Sequence, residues 1–203
     1  MQFYSMALHV GITGGIGSGK TLVCRMFATL GIPVYYADDR AKIILQSNYD
    51  VIAAVKKMFG EDAYFSNGEL NRKLIASIVF ADSDLLAKYN AIIHPAVQED
   101  ANLWMQQHAS FPYILKEAAL LFESGSYKFL DKIICITAPE NLRIERVMHR
   151  DAISENAVRQ RMKNQWSEEE KAALSNYIII NDGNTMLIPQ VMNVHQQLSA
   201  ICN

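Results

Sequence analysis

Gly14-Gly15-Ile16-Gly17-Ser18-Gly19-Lys20-Thr21 is the stretch on which the fold of this chain turns. It satisfies G-x-x-x-x-G-K-[ST]. An apolar run from Ala7 to Thr13 precedes it and a helical pattern from about Lys20 to Leu30 follows, which is the strand, loop and helix setting that the motif requires. The glycines let the backbone curl until successive N–H groups point inward at phosphate oxygens, and the following helix offers its positive end to the same anion. At average composition a chance match in a chain of this length arises about one time in a hundred. The expected nucleotide cradle is Gly15, Ile16, Gly17, Ser18, Gly19, Lys20, Thr21 and Leu22. Within it Lys20 reaches the β- and γ-phosphates of ATP, and Thr21 ligates Mg²⁺.

Working outward, Gly31 stops the first helix, Pro33-Val34-Tyr35-Tyr36 reads as a second strand, and Ala37-Asp38-Asp39 opens another helix with acids in its first turn. From Gly60 to Ser110 the strand pattern disappears. Asn67-Gly68 marks a turn there, and helical apolar periodicity runs through Leu70, Leu74 and Ile78, then Leu85, Tyr89, Ile92 and Ile93. Short buried-strand patterns return at Tyr113 to Glu117, Lys132 to Thr137 and Tyr177 to Asn181. Between the last two lie a helix from about Glu140 to Arg150, another capped at Ser154, and a third beginning at Ser167 with the capping box Ser167-Glu168-Glu169-Glu170. Strands alternating with helices imply an α/β fold with a mostly parallel five-stranded sheet in a three-layer P-loop arrangement. The expected division is a core of about 1–59, 111–139 and 176–203, a helical acceptor-binding insertion of about 60–110, and a helical lid of about 140–175.

Composition narrows the partners. With 19 basic and 21 acidic residues the formal net charge is -2, which gives no bulk electrostatic reason for a nucleic-acid or anionic-membrane partner. Cys24, Cys135 and Cys202 have neither CxxC spacing nor a His cluster, so neither a disulfide framework nor a zinc site is indicated, and a reducing cytoplasm fits. The N-terminal apolar stretch reads as a strand and not as a signal, and Met6 is an alternative start that still supplies the whole strand.

Two acids fall at the carboxyl ends of strands, where ligands bind in a parallel sheet. Asp38 follows the second strand and is the candidate to take the proton from an acceptor hydroxyl, although Asp38 and Asp39 are equally suited to stabilise a helix start. Glu117 ends the third strand and is a candidate for a Mg²⁺-water contact. Arg143, Arg146 and Arg150 share a helix arc of roughly 60° at 100° per residue, a basic face suited to a charged phosphoryl group, with Arg146 and Arg150 the leading lid candidates. The alternative for that face is a solvated ionic helix with Glu140 and Glu145 as partners. Arg72 is a candidate for a second phosphate, and His94 before Pro95 is either a ligand contact or the cap of a helix that Pro95 kinks. Trp104 and Trp166 read as packing residues.

Taken in order, these residues resemble the dephospho-CoA kinases across essentially the whole chain. The resemblance rests on Gly11 through Thr21, Leu30-Gly31-Ile32, Ala37-Asp38, Phe59-Gly60, Asn67-Gly68-x-Leu70-x-Arg72, Val79-Phe80 and His94-Pro95. It continues through Leu120-Leu121-Phe122-Glu123, Arg146-x-x-x-Arg150, Arg161-x-x-x-Gln165 and Asn181-x-Gly183. It implies that Asp38 is the general base, that Gly15 to Thr21 cradle ATP, that Arg146 and Arg150 lie in a lid, and that the helical insertion binds the acceptor. The implied reaction is transfer of the ATP γ-phosphate to the ribose 3′-hydroxyl of dephospho-CoA. The chain departs from the family pattern in four places. Tyr36 replaces an Asp after the second strand, Leu22 a hydroxyl residue after the loop, Glu117-Ala118-Ala119 an Asp-x-Pro, and Asn176 an Asp. Two other readings are a P-loop kinase of a nucleoside, nucleotide or shikimate-like alcohol, and a regulatory P-loop ATPase. A GTPase switch is disfavoured, because the chain has no Asn-Lys-x-Asp and no Asp-x-x-Gly motif.

Overall fold

The computed structural model describes residues 7–79 and 82–201. Phe80, Cys202 and the two candidate start residues, Met1 and Met6, lie outside them. Along the chain come β1 (Leu8–Gly14), α1 (Lys20–Thr29), β2 (Val34–Tyr36), α2 (Ala37–Ser47), α3 (Tyr49–Phe59), α4 (Arg72–Val79) and α5 (Ser83–Gln107). Then follow β3 (Tyr113–Glu117), β4 (Lys132–Thr137), α6 (Glu140–Asp151), α7 (Glu155–Met162), α8 (Glu168–Ala173), β5 (Tyr177–Ile180) and α9 (Leu187–Ile201). The chain divides into two compact units, one up to Tyr36 and from Gln107 onward, the other Ala37–Gln106.

The first unit is built on a five-stranded sheet in the order β2-β3-β1-β4-β5, with every pairing parallel. Strand period two sorts its side chains. Val10 and Ile12 of β1, Tyr113 and Leu115 of β3, Ile134 and Ile136 of β4 and Ile179 of β5 join one core with Val23, Cys24 and Phe27 of α1 and Val191, Val194 and Leu198 of α9. The intervening residues face the other way, where α8 packs against β1 and β4. Helices on both faces bury most strand positions, which is why the strands read largely as hydrophobic runs. The closing helix α9, not foreseen in the sequence analysis, carries its buried positions at Val191, Val194 and Leu198, a narrow helical stripe.

The second unit is all helical and has its own core, joining Ile44 and Leu45 of α2 and Val51 and Val55 of α3 to Ala63, Tyr64, Leu70, Ile75, Val79 and Ile93. Because the apolar faces of α2 and α3 are buried in this cluster, the unit begins at Ala37 and not near Gly60. The Asn48 side chain accepts the N–H groups of Asp50 and Val51 to start α3, the Tyr64 hydroxyl donates to the Leu45 carbonyl at 2.8 Å, and Arg40 pairs with Asp100. The Asn67-Gly68 turn is present with Gly68 at φ 83°. Helix α5 continues through Pro95, so His94 is an interior residue of that helix and does not cap one. Among the described residues no helix is long and apolar enough to cross a membrane.

Phe27 is fully buried and meets Tyr113 edge to face at 6.5 Å. Phe27→Ala is expected to lower unfolding free energy by about 3–5 kcal/mol with an unchanged urea m-value. A loss below about 1 kcal/mol would show that this ring does not anchor α1 to the sheet.

Candidate functional site

The glycine stretch forms a loop between β1 and α1. Gly17 and Gly19 have φ of 82° and 94°, and a Cβ on either would collide with Arg143's backbone carbonyl or with the Asn181 amide, so only glycine fits both the backbone and the space. Lys20 Nζ lies over the loop, 2.9 Å from the Gly14 carbonyl oxygen and 3.4 Å from that of Gly15. Leu22 donates its N–H to the Gly19 carbonyl at 3.0 Å, so that donor is used within α1, and the Leu22 side chain is exposed. Thr21 is exposed on the first turn of α1. Ile16 packs its side chain against Ile144, Val147 and Val158 of α6 and α7. The expected cradle is thus a preformed bend with the start of a ten-residue helix behind it, the arrangement that receives a phosphate group.

The three arginines of α6 do not act as one face. Arg143 is turned inward with its side chain 10% exposed, and its Nε donates to the Ala138 carbonyl at 3.0 Å. Arg146 is half-buried and reaches the Gly17 carbonyl and the Asn181 side-chain oxygen, both at 3.4 Å. Arg150 is exposed and forks onto Asp151 at 2.7 and 3.1 Å, which Arg161 also meets at 2.7 Å. Glu140 does not serve an arginine of its own helix, because it pairs with Arg159 of α7 at 2.7 Å. The face divides because α6 starts against the loop and ends in solvent.

The stretch that follows α7 also grips the loop. Gln165 accepts the Ile16 N–H at 2.9 Å. Trp166 stacks on Phe122, with 5.8 Å between centroids and 9° between planes, and donates its N–H to Glu123 at 2.8 Å. Lys171 is fully buried, and its ammonium lies 2.9 Å from Glu123 and 3.2 Å from the Ala119 carbonyl. Asn181, just past β5, donates its amide to the Ser18 carbonyl at 2.7 Å.

Glu117 is buried at the end of β3, in register with Ile12 and Tyr36. Asp38 is exposed in the first turn of α2, and its neighbour Asp39 pairs with Lys42 at 2.6 Å. Arg72 opens α4 and is exposed. Tyr36 packs its ring into the sheet core, so the position that carries Asp in the family pattern has become an apolar contact. Asn176 loses nothing by not being Asp, because its side-chain oxygen accepts the Ile133 N–H at 2.8 Å as a carboxylate would. Burial pushes the Cys24 thiol far up and that of Cys135 to about 11, so neither is a thiolate nucleophile. Among the described residues no three His, Cys, Asp or Glu gather as a metal cage. A cation here would be of the kind that takes oxygen ligands from phosphates and water with one or two protein groups.

The sequence reading gave no role to Gln165, Glu168, Lys171, Glu123 or Asn181. Gln165, Glu123 and Asn181 do sit inside the motifs that carry the resemblance. Glu168 is hidden among the acids of a capping box.

Residues 8–186 match the family model described as dephospho-CoA kinase. The dephospho-CoA kinase of Porphyromonas gingivalis is 41% identical over 92% of both chains, and that of Bacteroides fragilis 37% over 98% of both. The solved dephospho-CoA kinase of Campylobacter jejuni superposes with a TM-score of 0.71 at 27% identity, covering 95% of this chain and 97% of its own.

Lys171→Met leaves the Glu123 carboxylate buried without its cation and is expected to cost about 3–5 kcal/mol in urea unfolding, most of it recovered when Glu123→Gln is added. A single-variant cost below about 1 kcal/mol would show that the pair does not anchor α8.

Proposed function

Because the chain belongs to the dephospho-CoA kinase family, we propose that it transfers the γ-phosphate of Mg-ATP to the ribose 3′-hydroxyl of dephospho-CoA. The products are CoA and ADP, and the reaction is the last step of coenzyme A biosynthesis, in the cytoplasm. The observation that carries this reading is the preformed glycine loop with Lys20 laid across it, in a chain that matches the family from residue 8 to residue 186.

In this reading Lys20 leaves the carbonyls of Gly14 and Gly15 and binds the β- and γ-phosphates, while the main-chain N–H groups ahead of α1 take the remaining oxygens. Arg146, resting on Gly17 and Asn181, turns its guanidinium to the phosphoryl oxygens, and Arg150 joins it from the lid. Asp38 accepts the proton of the attacking hydroxyl as the new O–P bond forms and the bond to the β,γ-bridging oxygen breaks, releasing ADP. Mg²⁺ supplies charge neutralisation at the β- and γ-oxygens, with Thr21 and Glu117 as the protein groups that would hold it or its waters. Arg72 and His94, both in the helical unit, are the proposed acceptor contacts.

Lys20→Met is expected to lower kcat/KM by about a hundredfold or more together with ATP affinity; unchanged binding would remove the loop from the reaction. For the acceptor, the protein is offered ATP and Mg²⁺ with dephospho-CoA, adenosine, nucleoside monophosphates or shikimate, and products are read by mass. The expected result is one added phosphoryl group on dephospho-CoA, with Asp38→Asn lowering kcat by about 10²–10⁴ while ATP affinity stays within about threefold. Phosphorylation of another compound with dephospho-CoA untouched would overturn the acceptor assignment, and acceptor-independent ADP release would overturn the kinase reading.

A further inference from the structure

The Arg143–Glu168 pair has no part in the chemistry above, yet it sits against the phosphate loop. Glu168 Oε2 accepts the Ala138 N–H at 3.0 Å, Arg143 Nε donates to the Ala138 carbonyl at 3.0 Å, and Arg143 Nε lies 3.3 Å from Glu168 Oε1. The first residue beyond β4 is therefore held by both of its main-chain groups. A methyl on Gly15 would collide with Arg143 Nη1 and stand 3.0 Å from Glu168 Oε1, while one on Gly17 would collide with the Arg143 carbonyl. Both side chains are 10% exposed. The pair also borders a cavity of about 480 Å³ shared with Pro139, Met162 and Gln165, so close apolar packing does not take over its work.

A carboxylate in this place needs an explanation, because the loop it touches is built to receive a polyanion. The start of α8 does not need it. Ser167 and Glu170 already cap that end reciprocally, which leaves the Glu168 carboxylate to reach Ala138. We propose that Arg143 and Glu168 are positioning residues forming a clamp on the loop, in which Glu168 fixes the main chain at Ala138 and Arg143 shields the bound polyphosphate from that carboxylate. The clamp rests on the nucleotide reading of the loop but not on the identity of the acceptor.

Electrostatics gives the clamp its signature. Burial raises the Glu168 pKa, and the Ala138 N–H, the Arg143 charge and the Gly15 N–H oppose the rise. The other groups facing it are Glu169 on its own helix, which raises it further, and the Cys135 thiol of β4, which Lys171 and Lys20 also influence. Without Arg143 the carboxylate is unshielded at high pH and repels the nucleotide. As pH falls through its raised pKa it takes up a proton, and the repulsion disappears. At an effective dielectric of about 20, a bare carboxylate several ångströms from the phosphates weakens binding by about tenfold or more.

The test is calorimetric titration of ADP with Mg²⁺ into wild type, Arg143→Met, Glu168→Gln and the double variant, at about pH 8 and at successively lower pH. The expected result is that Arg143→Met binds at least about tenfold more weakly than wild type at about pH 8 and that this deficit shrinks as the pH falls, while the double variant recovers most of the loss at every pH. Equal weakness of Arg143→Met and the double variant at all pH values would overturn the clamp, because the guanidinium would then be gripping phosphate itself. If Arg143→Met does not fold, Glu168→Gln decides. Binding as tight as wild type or tighter supports shielding, and a loss of about tenfold sinks it. Lys20→Met in the same titration separates the two readings, since its failure to weaken ADP would remove the nucleotide site and not the clamp alone.

Discussion

A phosphate-binding bend made of glycines has almost no side chains with which to hold its own shape, so that shape must be imposed by other parts of the chain. Four of the six residues from Gly14 to Gly19 are glycine, the residue that loses most freedom on folding. What fixes them arrives from far along the sequence. Asn181 and Gln165 bond the Ser18 carbonyl and the Ile16 N–H from 163 and 149 residues away, and Arg146 reaches Gly17 from 129 residues away. Ile16, the one large side chain of the bend, is held in the apolar seam between α6 and α7. The nucleotide cradle is therefore not a local motif in the energetic sense. It exists once the last third of the chain has closed over it.

The same contacts divide the segment from α6 to α8 into parts of unequal firmness. The returning stretch is fixed by buried charge on two sides, Lys171 against Glu123 and Glu168 against Arg143, and by the stacked rings of Trp166 and Phe122. Breaking such buried pairs costs about 3–5 kcal/mol each. The end of α6 and α7 are held differently, through solvent-screened surface pairs of Arg150, Arg159 and Arg161 with Asp151, Glu140 and Glu155 that contribute little. Any rearrangement of this segment costs least at that outer corner, where Arg150 stands, and most at α8.

How much of this was legible in the sequence depended on the range over which each signal acts. Local signals were readable. The strand, loop and helix around Lys20, the Ser154 and Ser167 caps and the Asn67-Gly68 turn each follow from a few adjacent residues, and each is present. Periodicity placed Arg143, Arg146 and Arg150 on one side of α6 correctly, but it could not say that the side faces protein at its start and solvent at its end. The boundary of the helical unit was hidden for a similar reason. The apolar residues of α2 and α3 are equally compatible with two cores, and only tertiary packing shows that they are buried with Tyr64 and Ile93. Glu168 could not be found at all, since three consecutive acids after Ser167 look alike until one of them is seen reaching Ala138.

The departures from the family pattern sort by the kind of atom each position requires. Asn176 keeps a side-chain oxygen that accepts the Ile133 N–H, so a carboxylate there would add charge without adding a contact. Ala118 and Ala119 keep the main chain that matters, because the Ala119 carbonyl receives the Lys171 ammonium. Leu22 spends its N–H within α1 and leaves an exposed side chain, so the loop keeps its backbone and loses only a hydroxyl. Tyr36, like Asn176, removes a charge, but it keeps no side-chain atom in place of the carboxylate's pair of oxygens, and its ring packs against the sheet core. The proton-accepting role proposed for Asp38 has no carboxylate two residues before it to assist.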